Sequence, residues 1–361
     1  MNDILALGAQ SKSSFCFVKS GGFHISDYSG DLGDIHNLRN FERDIKKMQK
    51  KLKVTPGIIA CDLHPEYISS KLAAEWLKVR GSRLKAIQHH KAHVASCIFD
   101  NDVEGKVIGI AFDGTGYGLD GNIWGGEFFV GTLKGLRRVA YLKYIPMPGG
   151  ETAVREPWRM ALSYLYNIYG KSFNFARMDK QKARLLTQMI DKGINSPLTS
   201  SMGRLFDAVS ALTGICHVAK YEGQAAIELE RAISYQPSAF SLNNGYNFSY
   251  FNDKGLVIVD WAPVIKGIVK DLQAKKTRTE ISVKFHNAVC YMIRDVCRLL
   301  RKKYKIDKVC MSGGVFQNKF LATHAKPLLE KEDFKVYLHK NLPAHDGNIA
   351  LGQAILASVQ G

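Results

Sequence analysis

The sequence lacks the features that mark membrane and secreted proteins. No apolar run approaches the length of a membrane span, and the opening stretch MNDILALGAQ has no charged start, apolar core or cleavage site of a secretory leader. The seven cysteines are odd in number and include no CxxC pair, which argues against a disulfide framework or a thiolate zinc site. We therefore expect a cytoplasmic protein that makes no contact with a membrane.

Acidic side chains are fewer than basic ones. The 361 residues include 33 Asp and Glu against 50 Lys and Arg, a formal net charge of +17, and this excess favours an anionic partner, either a nucleotide or a nucleic acid. The densest basic stretches, 46–53 and 294–305, have the spacing of solvated helix faces. Because no aromatic RNA-binding signature accompanies them, a nucleotide is the favoured partner and nucleic acid is not.

Residues 106–127, KVIGIAFDGTGYGLDGNIWGGE, hold the strongest local pattern in the chain. A short apolar run ends at Asp113, just before a glycine-rich turn, which predicts a buried strand that delivers a carboxylate to a turn. A β-rich segment, 122–131, follows instead of the helix that a dinucleotide-binding fingerprint requires. We predict a hairpin of the kind that binds phosphate in actin-like and hexokinase-like ATPases; the alternative is a tight hairpin whose aspartate stabilises the turn.

A similar strand–turn–strand pattern occupies residues 3–30, and the chain is longer than one core comfortably holds. The repetition predicts an α/β protein with the two-lobed actin/hexokinase-like ATPase fold, built from duplicated RNase H-like lobes. Residues 1–104 would form the N-terminal lobe, joined by the C-terminal helix 346–361. Residues 105–345 would form the C-terminal lobe, with a helical insertion at about 151–245.

Two histidines stand four residues apart in IQHHKAHVASCIFDN, at the predicted start of a helix. This spacing turns the imidazoles of His89 and His93 to the same side, a metal-chelating geometry. His90 stands where an HExxH zinc peptidase has its glutamate, so the pattern is not of that class. The spacing alone also fits two histidines on a helix surface.

Two further motifs place polar groups at helix starts. In SGGVFQN, Gly313 and Gly314 would offer backbone N–H groups to an anion, and Asn318 would reach a ribose or base. Asp346 is a good N-cap for the last helix, but in a two-lobed ATPase this helix returns to the first lobe and its start faces the cleft. With Asp113 and the two histidines it would then complete a mixed N/O site for zinc or ferrous iron.

Taken together, these strings resemble the C-terminal carbamoyltransferase part of the HypF family of hydrogenase maturation proteins. The resemblance covers nearly the whole chain, and the family shares its fold with antibiotic O-carbamoyltransferases and with the enzyme that adds threonylcarbamoyl groups to tRNA adenosine. The strings, in order, are ACDLHPEY (60–67), QHHKAH (88–93), FDGTGYGLDGNIWGGE (112–127), MPGG (147–150), EPWRMA (156–161), SSMGRLFDAVSALTGI (200–215), YEGQAA (221–226), SGGVFQN (312–318) and DGNIALGQA (346–354).

The resemblance implies roles for the matching residues. One divalent metal, zinc or iron, would be held by His89, His93, Asp113 and Asp346. The adenosine and phosphate of a carbamoyl-adenylate, formed from ATP and released as AMP, would be held by Asp207, Gly223, Gly313, Gly314, Asn318 and the turn residues Gly114, Thr115 and Gly116. Candidate catalytic residues near the carbamoyl group or phosphate are Lys12, Arg155 and His90.

The reaction implied by the resemblance is carbamoyl transfer. The metal and the glycine-loop N–H groups would stabilise the charge on the departing AMP, and the acceptor would be the C-terminal cysteine thiolate of the partner HypE. No nucleophile of this chain would be needed. The thiocarbamate product would later be dehydrated to the cyanide ligand of the nickel–iron site.

The sequence departs from the family in three places. The given sequence contains neither the N-terminal parts that make the adenylate nor the cysteine-rich zinc modules, so we expect the transfer half-reaction only, with the adenylate supplied by a separate polypeptide or by a removed portion of a longer one. Tyr28 stands where the family often has His, and Asn348 where a second Gly is usual. Three alternatives stay open: O-carbamoylation of a small-molecule hydroxyl, a non-catalytic nucleotide-binding subunit, and a tRNA-modifying enzyme.

Overall fold

Two large β-sheets with helices packed against them make up the computed structural model, which describes residues 3–80, 82–172, 179–233 and 245–359. The strands are β1 (Ile4–Ala6), β2 (Cys16–Lys19), β3 (Gly22–Ile25), β4 (Ile58–Asp62), β5 (Arg83–Ile87), β6 (Val107–Phe112), β7 (Gly126–Thr132), β8 (Gly135–Leu142), β9 (Ile145–Pro146), β10 (Leu198–Thr199), β11 (Ser249–Asp253), β12 (Leu256–Asp260), β13 (Lys308–Ser312) and β14 (Lys335–Tyr337).

The helices lie between and after these strands. They are α1 (Ile35–Leu52), α2 (Ile68–Arg80), α3 (His89–Asp100), α4 (Thr152–Arg155), α5 (Trp158–Tyr169), α6 (Lys180–Lys192), α7 (Met202–Leu212), α8 (Gln224–Arg231), α9 (Ala262–Gln273), α10 (Arg278–Tyr304), α11 (Lys319–Glu330) and α12 (Ile349–Val359). Among the described residues, no helix combines the length and apolar character needed to cross a membrane.

The first sheet has the order β3-β2-β1-β4-β5. Strands β1, β2 and β3 are antiparallel, and β4 and β5 then continue the sheet parallel to β1. Helix α1 begins at Asp34, whose side chain accepts hydrogen bonds from the backbone N–H groups of its first turn. Its buried residues Phe41 and Ile45 pack with Leu5, Phe17 and other apolar residues of this sheet.

The second sheet repeats that order with additions at one edge. Strands β8, β7 and β6 are antiparallel, and β13 and β14 continue parallel to β6. The order β8-β7-β6-β13-β14 therefore matches β3-β2-β1-β4-β5. The predicted two-lobed ATPase-like α/β fold is confirmed. The predicted domain boundaries stay a prediction.

Two segments differ from the sequence-based expectations. The strand predicted at 122–131 begins only at Gly126, because the Trp124 backbone N–H bonds back to the Gly116 carbonyl (2.8 Å) and Gly125 has φ 154°. Just beyond the predicted insertion, where no strand was predicted, residues 249–260 form the hairpin β11–β12, whose second strand pairs parallel with β8. Of the predicted insertion, 151–245, residues 173–178 and 234–244 lie outside the described part of the chain.

Helices α3 and α12 pack directly against each other between the sheets. A Cβ atom on Gly352 would overlap the carbonyl oxygen of Ala92, so the backbones meet without an intervening side chain. On one side Ile349 of α12 lies in the apolar cluster of the first sheet. On the other side Val94 of α3 packs with Val107 of the second sheet. The first turn of α3 is thereby brought close to the residues that precede α12.

Candidate metal centre and cleft

The first turn of α3 supplies two buried imidazoles. Gln88, the residue before the helix, caps it by accepting a hydrogen bond from the backbone N–H of Lys91 (2.9 Å), so that the helix starts at His89. His89 and His93 are one turn apart, with ring centroids separated by 5.0 Å. Both side chains are almost fully buried, so the alternative of two surface histidines is wrong.

Asp113 follows the last residue of β6 and faces these imidazoles. Its Oδ1 accepts hydrogen bonds from the backbone N–H groups of Gly114 (2.8 Å) and Gly314 (3.3 Å). The other oxygen, Oδ2, lies 2.9 Å from His93 Nε2 and 3.4 Å from His89 Nε2. The glycine turns after β6 and β13 therefore hold one carboxylate oxygen and leave the other directed at the histidines.

Asp346 completes the group from the opposite end of the chain. It lies in a short 3₁₀ turn before α12, and the side chain that accepts a bond from the backbone of this turn is that of His345. The N-cap interpretation of Asp346 is therefore wrong. Its Oδ1 lies 3.5 Å from both His89 Nε2 and His93 Nε2.

One potential ligand atom from each of His89, His93, Asp113 and Asp346 lies within 4.8 Å of the other three. Two imidazole nitrogens and two carboxylate oxygens form the mixed donor set that suits zinc or ferrous iron. Among the described residues, His89 Nε2 is buried and has no hydrogen-bond partner, as expected of a nitrogen reserved for a ligand. The residues present fit a divalent metal; that they hold one stays a prediction.

Two residues absent from the predicted site orient the imidazoles. Asp62, at the end of β4, accepts a hydrogen bond from Nδ1 of His89 (2.7 Å), and Asn348 Oδ1 accepts one from Nδ1 of His93 (3.0 Å). Both bonds leave Nε2 facing the carboxylates, which is how outer partners usually fix metal-binding histidines. The available signal for Asp62 was an acid at the end of a buried strand; Asn348 was noted only as a departure from the family.

The charges of the four side chains in the candidate metal centre favour a cation among them. Burial by itself would lower the pKa of His89, but Asp62, Asp113 and Asp346 outweigh it and raise that pKa well above its usual value. Burial would also raise the pKa of Asp113, yet the neighbouring imidazoles of His89 and His93 hold it well below the usual range. The two carboxylates are therefore ionised and need either protonated imidazoles or a bound cation beside them.

A cleft of about 1080 Å³ opens from this group. Its first-lobe wall includes His64 and Tyr67, which stack with ring centroids 4.2 Å apart. Of the predicted nucleotide and catalytic residues, those that line the cleft are Gly114, Thr115, Gly116 and Arg155, while the metal group contributes Asp113 and Asp346.

The other five predicted nucleotide-binding residues are not among the residues that line the cleft. Asn318 uses both ends of its side chain within the protein, accepting from Leu321 N (3.0 Å) and donating to His286 Nε2 (3.0 Å). Gly313 and Gly314 pack against Phe112 and Asp113.

Asp207 is buried in an ion pair with Arg204 (2.8 Å), and burial raises the pKa of Asp207 to about 6. Gly223 begins α8 with φ 76°; nucleotide contacts for all five stay predictions.

The three predicted catalytic residues have different surroundings. Arg155 lines the cleft and is mostly exposed, with an ion pair to Glu151. Lys12 lies 3.7 Å from Glu222, a cleft residue of the second lobe. His90 is fully buried beneath Gly116, where a Cβ atom would overlap the imidazole, and its Nδ1 lies 3.0 Å from Gln88 Nε2. That position suits support of the turn rather than contact with substrate; the catalytic role of His90 stays a prediction.

The duplicated lobes and the His/Asp group at their cleft define a two-lobed ATPase-like protein with a candidate divalent-metal centre. Comparison with family models gives the particular family. Residues 1–100 match the HypF Kae1-like domain, and residues 109–353 match the model described as "Carbamoyltransferase, Kae1-like Domain, second subdomain". The chain belongs to the HypF carbamoyltransferase family.

Individual relatives agree with this assignment. "Carbamoyltransferase HypF" of Synechocystis is 34% identical over 99% of this chain and 47% of its own length, and a "Carbamoyltransferase HypF homolog" of Cupriavidus necator is 30% identical over 99% and 92%. A crystal structure of full-length HypF "in the phosphate- and nucleotide-bound form" is 37% identical, with TM-score 0.92 over 99% of this chain and 55% of that chain. The chain spans about half the length of the full-length relatives.

Proposed function

We propose that this chain transfers a carbamoyl group from carbamoyl-adenylate to the C-terminal cysteine thiol of a HypE-like acceptor protein, releasing AMP. The proposal rests on family membership and on one observation, the convergence of His89, His93, Asp113 and Asp346 at the end of the cleft. An adenylate-forming HypF portion would supply the substrate. The cytoplasmic location and the lack of a nucleic-acid partner stay predictions.

In this reaction the thiolate sulfur attacks the carbamoyl carbon, a C–S bond forms, and the bond from that carbon to the phosphate oxygen breaks. AMP leaves with the bonding electron pair, and the thiol proton passes to solvent. A bound divalent metal would supply Lewis-acid stabilisation of the negative charge on the departing phosphate. The cleft would hold the two reactants side by side, which lowers the entropic cost of the reaction.

The residues of this chain would prepare the site. Asp62 and Asn348 hold the imidazoles in one orientation, and the Gly114–Gly116 turn forms part of the cleft wall beside Asp113. Because Asp113 is fixed through one oxygen by two backbone N–H groups, the geometry of the centre is set before substrate arrives. A cation held by residues preorganised in this way would stabilise a developing negative charge without later rearrangement.

The direct test mixes the full chain with carbamoyl phosphate, ATP, an adenylate-forming HypF portion and a HypE-like protein. Mass spectrometry of the acceptor should show a carbamoyl adduct on its terminal cysteine, dependent on this chain. An adduct that forms equally well without the chain would contradict the proposal. So would a chain that binds nucleotide but produces no adduct, which is the outcome for a non-catalytic subunit.

The variant Asp113→Ala tests whether the candidate metal centre is needed for carbamoyl transfer. Asp113→Ala removes the carboxylate that faces both histidines, so we expect the adduct to disappear and the tightly bound metal to fall to substoichiometric levels by elemental analysis. The fold should persist, because the Asp113 backbone bonds to Gly125 and Gly203 remain. Far-UV circular dichroism checks folding, and unchanged turnover in the variant would refute the metal role.

A further inference from the structure

Arg204 is a buried cation of the cleft that sequence reasoning did not select. Its side chain is 5% exposed, yet it contributes to the cleft lining. Its Nη2 lies 2.8 Å from Asp207 Oδ2. Within the described residues, Nε and Nη1 are buried without a hydrogen-bond partner. Buried donors of a charged group rarely remain unpaired, so an acceptor outside the protein is expected.

Arg204 lies beside the turn that follows Asp113 of the candidate metal centre. Helix α7 begins at Ser201, whose hydroxyl donates to the backbone carbonyls of Asp113 and Gly114, both at 2.7 Å. Gly203 N also donates to the Asp113 carbonyl (3.1 Å). These bonds tie the first turn of α7 to the metal-side turn, and a Cβ atom on Gly114 would lie only 3.7 Å from Arg204 Nη2.

The other cations of the cleft are differently placed. Arg155 and Lys220 are exposed to solvent, whereas the guanidinium of Arg204 is screened from it. A planar guanidinium with free donors is the side chain best suited to pair with phosphate oxygens, and burial strengthens that pairing because water competes less.

We propose that Arg204 binds a phosphate oxygen of the nucleotide through the donors that have no partner among the described residues, with Asp207 holding the guanidinium in place. This inference rests on the proposed function, in which the cleft takes an adenylate, and it names the residue that recognises the phosphate. Arg204 then neutralises part of the charge on the departing AMP from the side of α7. A divalent metal held by His89, His93, Asp113 and Asp346 would do so from the side of α3.

The test compares AMP with adenosine, which lacks the phosphate, in calorimetric titrations of the metal-containing full chain. In Arg204→Met the affinity for AMP should fall about tenfold to a hundredfold, the loss expected for one hydrogen bond between charged groups. The affinity for adenosine should change less than about twofold. Arg204→Lys, which keeps the charge and the partner Asp207, should recover part of the AMP affinity.

Arg159→Met is the matched control. Arg159 also forms an (i, i+3) ion pair, with Glu156, but it does not line the cleft, so both affinities should match those of the unmodified chain. Unchanged AMP affinity in Arg204→Met would show that only water occupies the unpaired donors and would overturn the inference. Equal losses for AMP and adenosine would also overturn it, because they indicate a structural role.

Two further outcomes separate this inference from the proposed function. If the unmodified chain binds neither compound, both the nucleotide cleft and the role of Arg204 are wrong. If it binds AMP and also transfers the carbamoyl group, but the ratio of AMP to adenosine affinity is the same in every variant, only the role of Arg204 is wrong. Should Arg204→Met fail to fold, the AMP-to-adenosine ratio of Arg204→Lys decides.

Discussion

A single hydrogen bond fixes which nitrogen of His89 faces the carboxylates. Asp62 is almost fully buried; one of its oxygens accepts from His64 N (2.9 Å) and the other from His89 Nδ1 (2.7 Å). A buried carboxylate held at both oxygens cannot turn away, so His89 Nε2 remains directed at Asp113 and Asp346. The negative charge of Asp62 also makes the imidazole a stronger donor to a cation.

We therefore predict that Asp62→Asn weakens zinc binding by about 10- to 100-fold. The asparagine amide has no charge, and it can donate from its N–H₂ group to Nδ1 of His89. The proton of the imidazole would then lie on Nε2, which leaves that nitrogen unable to bind a metal. Competition with a chelator of known zinc affinity measures the change. Glu66→Gln is the control, because Glu66 lies in the same loop but pairs with Lys71 at the surface; if both variants bind zinc alike, Asp62 does not position His89.

At the scale of elements, one histidine joins the longest helix to the start of another. His286 of α10 donates from Nδ1 to the Ser282 carbonyl (2.8 Å) and accepts at Nε2 from Asn318 Nδ2 (3.0 Å). Asn318 in turn caps α11 through Leu321 N (3.0 Å). The imidazole serves this connection only while neutral, and burial lowers its pKa to about 4.

This depressed pKa predicts how stability depends on pH. The unfolded chain takes up the proton near pH 6.5, while the folded chain resists protonation of His286 down to about pH 4. The contribution of neutral His286 to the free energy of unfolding is therefore fully present above about pH 6.5. It declines as the pH falls towards 4, by up to about 3 kcal/mol. Urea unfolding at about pH 7 and about pH 4.5 measures this difference.

The variant His286→Gln should lose this part of the pH dependence, because glutamine does not titrate. His36→Gln serves as the control, since His36 is exposed in the first turn of α1 and should leave the dependence unchanged. A pH dependence that is the same in His286→Gln as in the unmodified chain would show that His286 does not govern it.

The site as a whole depends on how closely two helices approach. Helix α3 carries His89 and His93, α12 follows Asp346 and Asn348, and their backbones touch at Gly352. The end of α3 adds a second tie, because Asp100 accepts hydrogen bonds from the backbone N–H groups of Lys340, Asn341 and Leu342. The distance from Asp346 to the histidines is thus set by packing well away from it.

Gly352→Ala should separate the two helices, because the new methyl group would overlap the backbone of Ala92. We expect a loss of about 1–3 kcal/mol of stability, together with weaker zinc binding even though no ligand is altered. Chemical unfolding and chelator competition measure the two effects. Gly135→Ala is the control, since a methyl group there meets no described atom within 4 Å. Full zinc affinity in Gly352→Ala would contradict the coupling.

Local patterns in the sequence determined the elements that carry the site. An apolar run ending in Asp113 marked a strand, a four-residue spacing placed His89 and His93 on one side of a helix, and a repeated hairpin pattern indicated two lobes. These features depend on neighbours a few residues apart, so they can be read from the chain itself. They pointed to Asp113, His89 and His93, whereas Asp346 was added through the expected return of the last helix to the first lobe.

Only the tertiary structure decided how those residues meet and what surrounds them. Asp113 and Asp346 are far apart in the chain and come together because α12 packs on α3 at Gly352, a contact that no local pattern encodes. Tertiary contacts elsewhere bury His90, turn Asn318 towards His286 and leave two donors of Arg204 without a partner among the described residues. Burial and hydrogen-bond partners arise from elements distant in sequence, and they separate residues that face a ligand from residues that support the fold.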